Sequence, residues 1–252
     1  MADLELTVRE MINQIQDEAG WANLTQDRLD LSLKWVNRGY REFISGRHPR
    51  YNYPHQWSFL VVQYELDTVA DTAEYEMPAD FSGIHNTPVY QHSESTDFPL
   101  LHHISTDQYN KLLKSTDVES TGRADRYAIF PSTFTNTGTQ RWSLKFYPTF
   151  DDAYTVIVPY RMRADALTDD AIYHMGGQDF TTVILYKALA QMEFEKNIPD
   201  GVWKRKADEE MELAIQVDQS AYSYAAHETM AADITAWRVN DFYLAGNSGI
   251  EI

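Results

Sequence analysis

No cysteine occurs anywhere in the chain, and that absence removes disulfides, thiolate metal sites and cysteine nucleophiles together. A small secreted fold held by disulfide staples is excluded for the same reason. Basic residues are scarce: 21 lysines and arginines face 38 aspartates and glutamates, for a formal net charge of −17 over 252 residues. Such a chain repels nucleic acid phosphate unless a dense basic patch intervenes. The longest basic cluster, Lys204-Arg205-Lys206, runs straight into Asp208-Glu209-Glu210, the pattern of a solvated helix face with paired charges. No apolar run approaches the length needed to span a bilayer. The start, Met1-Ala2-Asp3-Leu4-Glu5, has neither the positive nor the apolar region of a signal peptide. The expectation is a protein made and used in water, without a membrane partner.

Catalytic signatures are missing as well. There is no Gly-x-Ser-x-Gly elbow, no phosphate-binding glycine loop, no dinucleotide fingerprint and no His-Glu-x-x-His pair. Of the eight histidines, His102 and His103 are adjacent in an expected strand, so they face opposite ways and cannot share a metal. His174 precedes Met175-Gly176-Gly177 and reads as a turn residue beside a helix start. Carboxylates pair at Asp151-Asp152, Asp169-Asp170 and Glu209-Glu210. Glycosidic chemistry needs two carboxyls held across a cleft, which sequence neighbours do not report. The first two pairs read as turn chemistry, where Asp bonds its own backbone. No catalytic residue, cofactor or metal is expected. A carboxylate-dependent cell-wall hydrolase working through Asp151 or Asp169 is the enzymatic alternative.

What the chain does have is apolar mass, 43%, and an aromatic share of 13%, enough for a core and equally suited to interfaces. Thr7 with Glu10 has capping-box spacing. Val8, Met11, Ile12, Ile15 and Ala19 then recur at helical period until Gly20. A second helix from Thr25 or Gln26 carries Leu29, Leu33, Val36, Tyr40 and Phe43 on one stripe, and Gly46 and Pro49 end it. Six strands are predicted next: Ser58–Leu66, Thr87–His92, Phe98–Ile104, Tyr127–Phe130, Trp142–Phe146 and Thr155–Met162. A short helix is placed over Thr106–Ser115, and Ser132–Gln140 reads as an exposed loop. Residues Gln178–Asn197 are apolar on several faces and predict a buried helix. After the break at Ile198-Pro199-Asp200-Gly201, a last helix runs to about Ala226. Its seam is small (Ala207, Met211, Ala214, Ala221, Ala225), with Asp218 interrupting. Such residues let another helix approach closely.

The fold class expected is therefore α+β: a four-helix bundle from the N- and C-terminal helices, an inserted small β-barrel or sandwich, and an extended C-terminal tail. The divisions are 1–50 for the first helical hairpin, 51–176 for the β module, 177–226 for the second helix pair and 227–252 for the tail. The tail scatters Ile234, Trp237, Val239, Phe242, Tyr243 and Leu244 without a helical stripe. Apolar and aperiodic, it either packs on its own bundle or docks on a partner.

This order of elements resembles the head-to-tail adaptor proteins of short-tailed bacteriophages, the tail accessory factor and tail tubular A group. The likeness lies in the N-terminal helical hairpin, Trp57-Ser58-Phe59, Tyr75-x-Met77-Pro78-x-Asp80-Phe81 and Lys145-Phe146-Tyr147-Pro148 with its acidic turn. Tyr160-Arg161, the long helix pair and the aromatic tail complete it. The resemblance implies a structural virion protein of the neck, assembled in the host cytoplasm. It would form a homo-oligomeric ring of about twelve subunits beneath the portal protein, extend the DNA channel without binding DNA specifically, and join a downstream tail or nozzle protein. It also implies that the C-terminal segment reaches the portal, with Ile234, Trp237, Val239, Phe242, Tyr243 and Leu244 as anchors. The seam Ala207, Met211, Ala214, Ala221 and Ala225 would serve subunit contacts. An acidic wall suits such a channel, because a basic one would hold DNA by counterion release. The structural alternative is another tail or baseplate protein.

Overall fold

The computed structural model describes residues 6–23, 25–91, 100–115, 120–132, 140–171, 173–198 and 201–229. Among them the protein is mixed α and β, with five helices and two four-stranded sheets and no closed barrel. It divides into two compact units, Met1–Ser58 with Ala166–Ile252, and Phe59–Asp165.

The first unit is helical. Helix α1, Val8–Ala19, starts on a complete capping box: Thr7 Oγ1 accepts from the Glu10 amide and the Glu10 carboxylate accepts from the Thr7 amide at 2.7 Å. Gly20, at φ 72°, closes the helix in the left-handed conformation. Helix α2, Gln26–Ile44, buries Leu29, Trp35, Val36, Tyr40 and Phe43. The remaining helices of this unit are α4, Thr181–Glu195, preceded by a 3-10 turn at Gln178–Phe180, and α5, Val202–Thr229. Helix α4 packs against α1, α2 and α5. It therefore buries residues on several faces, Val183, Ile184, Leu185, Ala188, Leu189 and Met192 among them, as its lack of a polar face predicts.

Two glycines show how closely these helices are packed. A Cβ on Gly39 of α2 would stand 2.6 Å from the backbone nitrogen of Ala188 in α4, so the helices meet backbone to backbone there. At the start of α5, the Glu193 carboxylate accepts the Trp203 amide at 3.0 Å and caps the helix. That same carboxylate occupies the space a Cβ on Gly201 would need.

The second unit holds β1 (Val61–Asp67), β2 (Glu74–Glu76), β3 (Phe81–Ile84), β4 (Val89–Tyr90), β5 (His102–His103), α3 (Thr106–Ser115), β6 (Arg126–Pro131), β7 (Trp142–Tyr147) and β8 (Thr155–Met162). One sheet runs β1-β8-β3, with β4 also on β8; the other runs β2-β7-β6-β5. All pairings are antiparallel except β5 with β6. Strand β8 alternates cleanly, burying Val156, Val158 and Tyr160. These join Leu66 and Phe81 of their own sheet and Tyr127, Leu144 and Phe146 of the other in one core.

Two expectations are refined. Of the barrel or sandwich expected, the closed barrel is not found: the β module is two open sheets sharing a core, and the second sheet ends in β2 and β5, three and two residues long. Edges so short cannot carry a ladder on to the other sheet. The six-strand reading also missed β2 and β3. It began β1 too early, since Ser58–Leu60 is a 3-10 turn. The segment that carries them earns its composition by other contacts. Tyr75 accepts from the Val69 amide at 2.9 Å and donates to the Thr72 carbonyl at 3.0 Å, fastening that turn. Met77 and Phe81 are buried in the core, and Asp80 accepts the Tyr160 hydroxyl at 3.0 Å. Burial and the neighbouring Asp80 push the Tyr160 phenol up to about 12.

Two predictions follow from this packing. Replacing Gly39 by Ala forces α2 and α4 apart and should cost about 1–3 kcal/mol, read as a lower urea midpoint; an unchanged midpoint refutes the contact. On β2, Glu74 lies opposite Lys145 and takes hydrogen bonds from Lys145 Nζ and Ser143 Oγ, both at 2.8 Å. These bonds hold its carboxyl below the usual glutamate range. The folded state thus favours the ionised form, so the stabilisation is present above the ordinary glutamate pKa and fades as pH falls through the lowered one. Glu74→Gln should cost about 0.5 kcal/mol at neutral pH, the exposed position being screened, and the two melting curves should converge in acid.

Candidate interaction surfaces

The residue that interrupts the small seam of α5 is heavily hydrogen-bonded. Asp218 is 3% exposed and lies against the segment leaving α2. Its carboxylate accepts the Ser58 amide at 3.1 Å, the Ser58 hydroxyl at 2.5 Å and the ring of His55, whose Nε2 stands 2.8 Å from Oδ2. A buried carboxylate costs several kcal/mol unless donors surround it, and here three do. Serine, histidine and aspartate are thus neighbours, but Asp218 sits between the other two. A hydrolytic arrangement puts the histidine between, to take the serine proton. The cluster is a fastening.

Beside it, Trp57 is fully buried, donates from Nε1 to the Phe43 carbonyl at 2.8 Å, and packs on Phe43 and Phe180 with ring centroids 4.4 and 5.3 Å away. The chain between α2 and Ser58 is pinned at its base. Gly46, at φ 63°, accepts the His55 amide at 2.7 Å, and a Cβ there would collide with the His55 carbonyl. Within it the Tyr53 carbonyl accepts the His48 amide at 3.0 Å, and Arg47 bridges to Pro54. The His48 imidazole accepts the amides of Arg50 and Tyr51 at 3.2 and 3.3 Å. On this scaffold Tyr51 and Tyr53 stand nearly parallel, 10° apart, and remain 66% and 41% exposed. Arg47 and Arg50 flank them, and Arg50 pairs with Glu212 of α5 at 3.1 Å.

The residues singled out from the sequence fall as follows. Ala207, Met211 and Ala214 are buried inside the chain itself, on a helix packed against α4. Ala221 and Ala225 lie on α5, their side chains outside the described set. The anchors Ile234, Trp237, Val239, Phe242, Tyr243 and Leu244 lie outside the described residues, as does most of the Ser132–Gln140 loop. Helix α5 continues to Thr229, three residues past the expected end. Asp152 accepts the Ala153 amide at 2.8 Å and Asp151 the Tyr154 hydroxyl at 2.8 Å, the turn chemistry expected of them. Asp169 pairs with Arg9. His174 is buried, bonded to Thr181 Oγ1 and to the Met175 carbonyl. Lys206 rides over the Trp203 ring at 4.3 Å. No group of three or more His, Asp or Glu able to hold a metal occurs among the described residues.

The sequence reading passed over Ser58, His55, Tyr51 and Tyr53 as functional. For the tyrosines a signal existed: two aromatic rings and two arginines bracketed by Gly46, Pro49 and Pro54. For the fastening the signal was Asp218 alone, an acid on an otherwise small apolar seam.

In comparison with known proteins, a family model described as SU10 adaptor protein matches residues 6–231. No curated protein matches the chain.

The Asp218 fastening predicts that Asp218→Ala costs about 2–4 kcal/mol, since it leaves the half-buried Ser58 amide and the buried His55 ring without their acceptor. Urea unfolding at neutral pH measures it; a loss below half a kcal/mol, on the order of a surface change, would show the contact to be incidental.

Proposed function

The chain belongs to the SU10 adaptor protein family, and on that premise we propose that it assembles as a ring beneath the portal, extends the DNA channel and joins the head to the tail. The observation that carries this is the family match, which runs through both units and nearly the whole described chain. A phage structural adaptor interacts with portal and tail proteins; the ring of about twelve copies, the channel and the placement of each segment are the proposal.

In this reading the helices of 1–50 and 177–226 form a bundle wall around the ring, and the β module, 51–176, faces the downstream tail protein through its Ser132–Gln140 loop. Residues 227–252 reach the portal, with Ile234, Trp237, Val239, Phe242, Tyr243 and Leu244 as anchors. The family match stops at residue 231, so these anchors lie beyond the shared part, which suits a segment cut to one particular portal. Ala221 and Ala225 are left for subunit contact, since Ala207, Met211 and Ala214 are used within the chain. The role is structural, with no catalytic step, cofactor or membrane. A net charge of −17 per copy keeps passing DNA from adhering to the wall.

Native mass of the purified chain with the portal protein of the same genome tests this. The expected result is a multi-copy complex on an intact portal ring, lost when residues 230–252 are deleted. No binding by the intact, folded chain would overturn the adaptor reading.

A further inference from the structure

Among the described residues two surfaces of the helical unit are left exposed, and their chemistry is complementary. The first is the pinned loop with Arg47, Arg50, Tyr51 and Tyr53. In a chain of net charge −17, no acid occurs between Glu42 and Glu65. The amides of His48, Arg50, Tyr51, Asn52 and His55 are all hydrogen-bonded within this loop, so presenting the rings costs little further ordering. Rigid tyrosine and arginine are the residue types that anchor protein interfaces.

The second surface is on α5. From Ala207 to Thr229 this helix carries Asp208, Glu209, Glu210, Glu212, Asp218 and Glu228 with no lysine or arginine. Leu213 and Val217 are 53% and 43% exposed, one turn apart, and Glu209 is exposed beside them. Glu212, which holds Arg50 of the same chain, is the residue before Leu213, about 100° round the helix. Val217 precedes Asp218 by the same step in the opposite sense. The loop therefore covers one flank of α5, and the leucine and valine emerge on the other.

We infer that the aromatic, basic loop of one copy docks on the Glu209–Leu213–Val217 face of α5 in a second copy. This deepens the ring reading above and rests on it for its biological meaning. The two surfaces differ and lie on opposite flanks, so the contact is head-to-tail rather than two-fold. Each copy uses its loop on one neighbour and offers its helix to the other, and such a contact propagates until it closes. Arg47 meets Glu209 while Arg50 stays with Glu212 of its own chain, and tyrosine faces cover the exposed leucine and valine. The association is consequently weakened by salt.

Sedimentation velocity of the full chain over rising concentration, at low and high salt, tests the contact with two variants. One is Tyr51→Ser with Tyr53→Ser; the other is Leu213→Ser with Val217→Ser. All four positions are exposed, and a melting curve checks that each variant folds. The wild type should grow past the dimer as concentration rises, and less so in salt. Each variant alone should associate about tenfold or more weakly. An equimolar mixture of the two should stop at one-to-one pairs, because only one intact loop meets one intact helix face. A wild type that stays monomeric to its solubility limit, one that stops at a dimer, or variants that associate as the wild type does would each overturn it. So would retention of duplex DNA by the loop, lost in its variant, without self-association. Chain association without portal binding would sink the adaptor reading and leave this contact standing. Portal binding with the same copy number in both variants would do the reverse.

Discussion

One carboxylate, on Asp218, ties the last long helix to the segment where the chain leaves the first helical pair. Its three hydrogen bonds come from His55 and Ser58, and each is needed, because a buried carboxylate is tolerated only when its lone pairs are met. The consequences spread outward. With Ser58 held, Trp57 is committed to its slot between Phe43 and Phe180. With His55 held, its amide reaches Gly46, and the intervening loop is closed at the base. The two tyrosines at the far end of that loop are then presented on a frame rather than on a free strand of chain. Burying an aspartate costs more than burying another alanine would. What the cost secures is register, since an apolar residue on the α5 seam would pack against 55–58 in several ways and a hydrogen-bonded carboxylate in one.

How much of this was legible depended on the range of the interaction. The capping box of α1 was complete in the sequence because Thr7 and Glu10 are three residues apart and their bonds are local. The all-round apolar pattern of Gln178–Asn197 announced a helix contacted from several sides, and α4 is that helix. Strand β8 showed its alternation because eight residues give the period room to repeat. Strands β2 and β3 are three and four residues long, with Pro78 between them and Gly83 inside β3, so no period could form. Barrel and sandwich were left open together for a related reason: closure depends on the pairing of edge strands remote in sequence, and strand spacing says nothing about it. Asp218 and His55 are separated by 163 positions, and only the odd acid on the seam hinted at a partner.

The small seam itself shows what pattern can and cannot decide. Alanines at helical spacing state that something comes close; they do not state whether the neighbour belongs to the same chain. Here Ala207, Met211 and Ala214 are consumed by the protomer, in the same way that Gly39 is consumed by Ala188. For those three residues the close neighbour lies within the protomer.

The charge of the chain then restricts where copies can touch. Each carries −17, and at physiological salt fields persist for about 8 Å, so two acidic faces brought into contact repel before any apolar surface is covered. Association is favoured only where one partner offers a stretch free of acids. The loop after α2 is such a stretch, it is rigid, and it carries two arginines. The matching face must supply acid and apolar area together, which the outer flank of α5 does through Glu209, Leu213 and Val217. Repulsion over the rest of the surface acts as a filter, because a copy that approaches in another register meets like charge and leaves. In the proposed ring, the charge that would keep DNA from adhering to the wall would also reject wrongly oriented neighbours, and would favour a head-to-tail contact through the acid-free loop after α2.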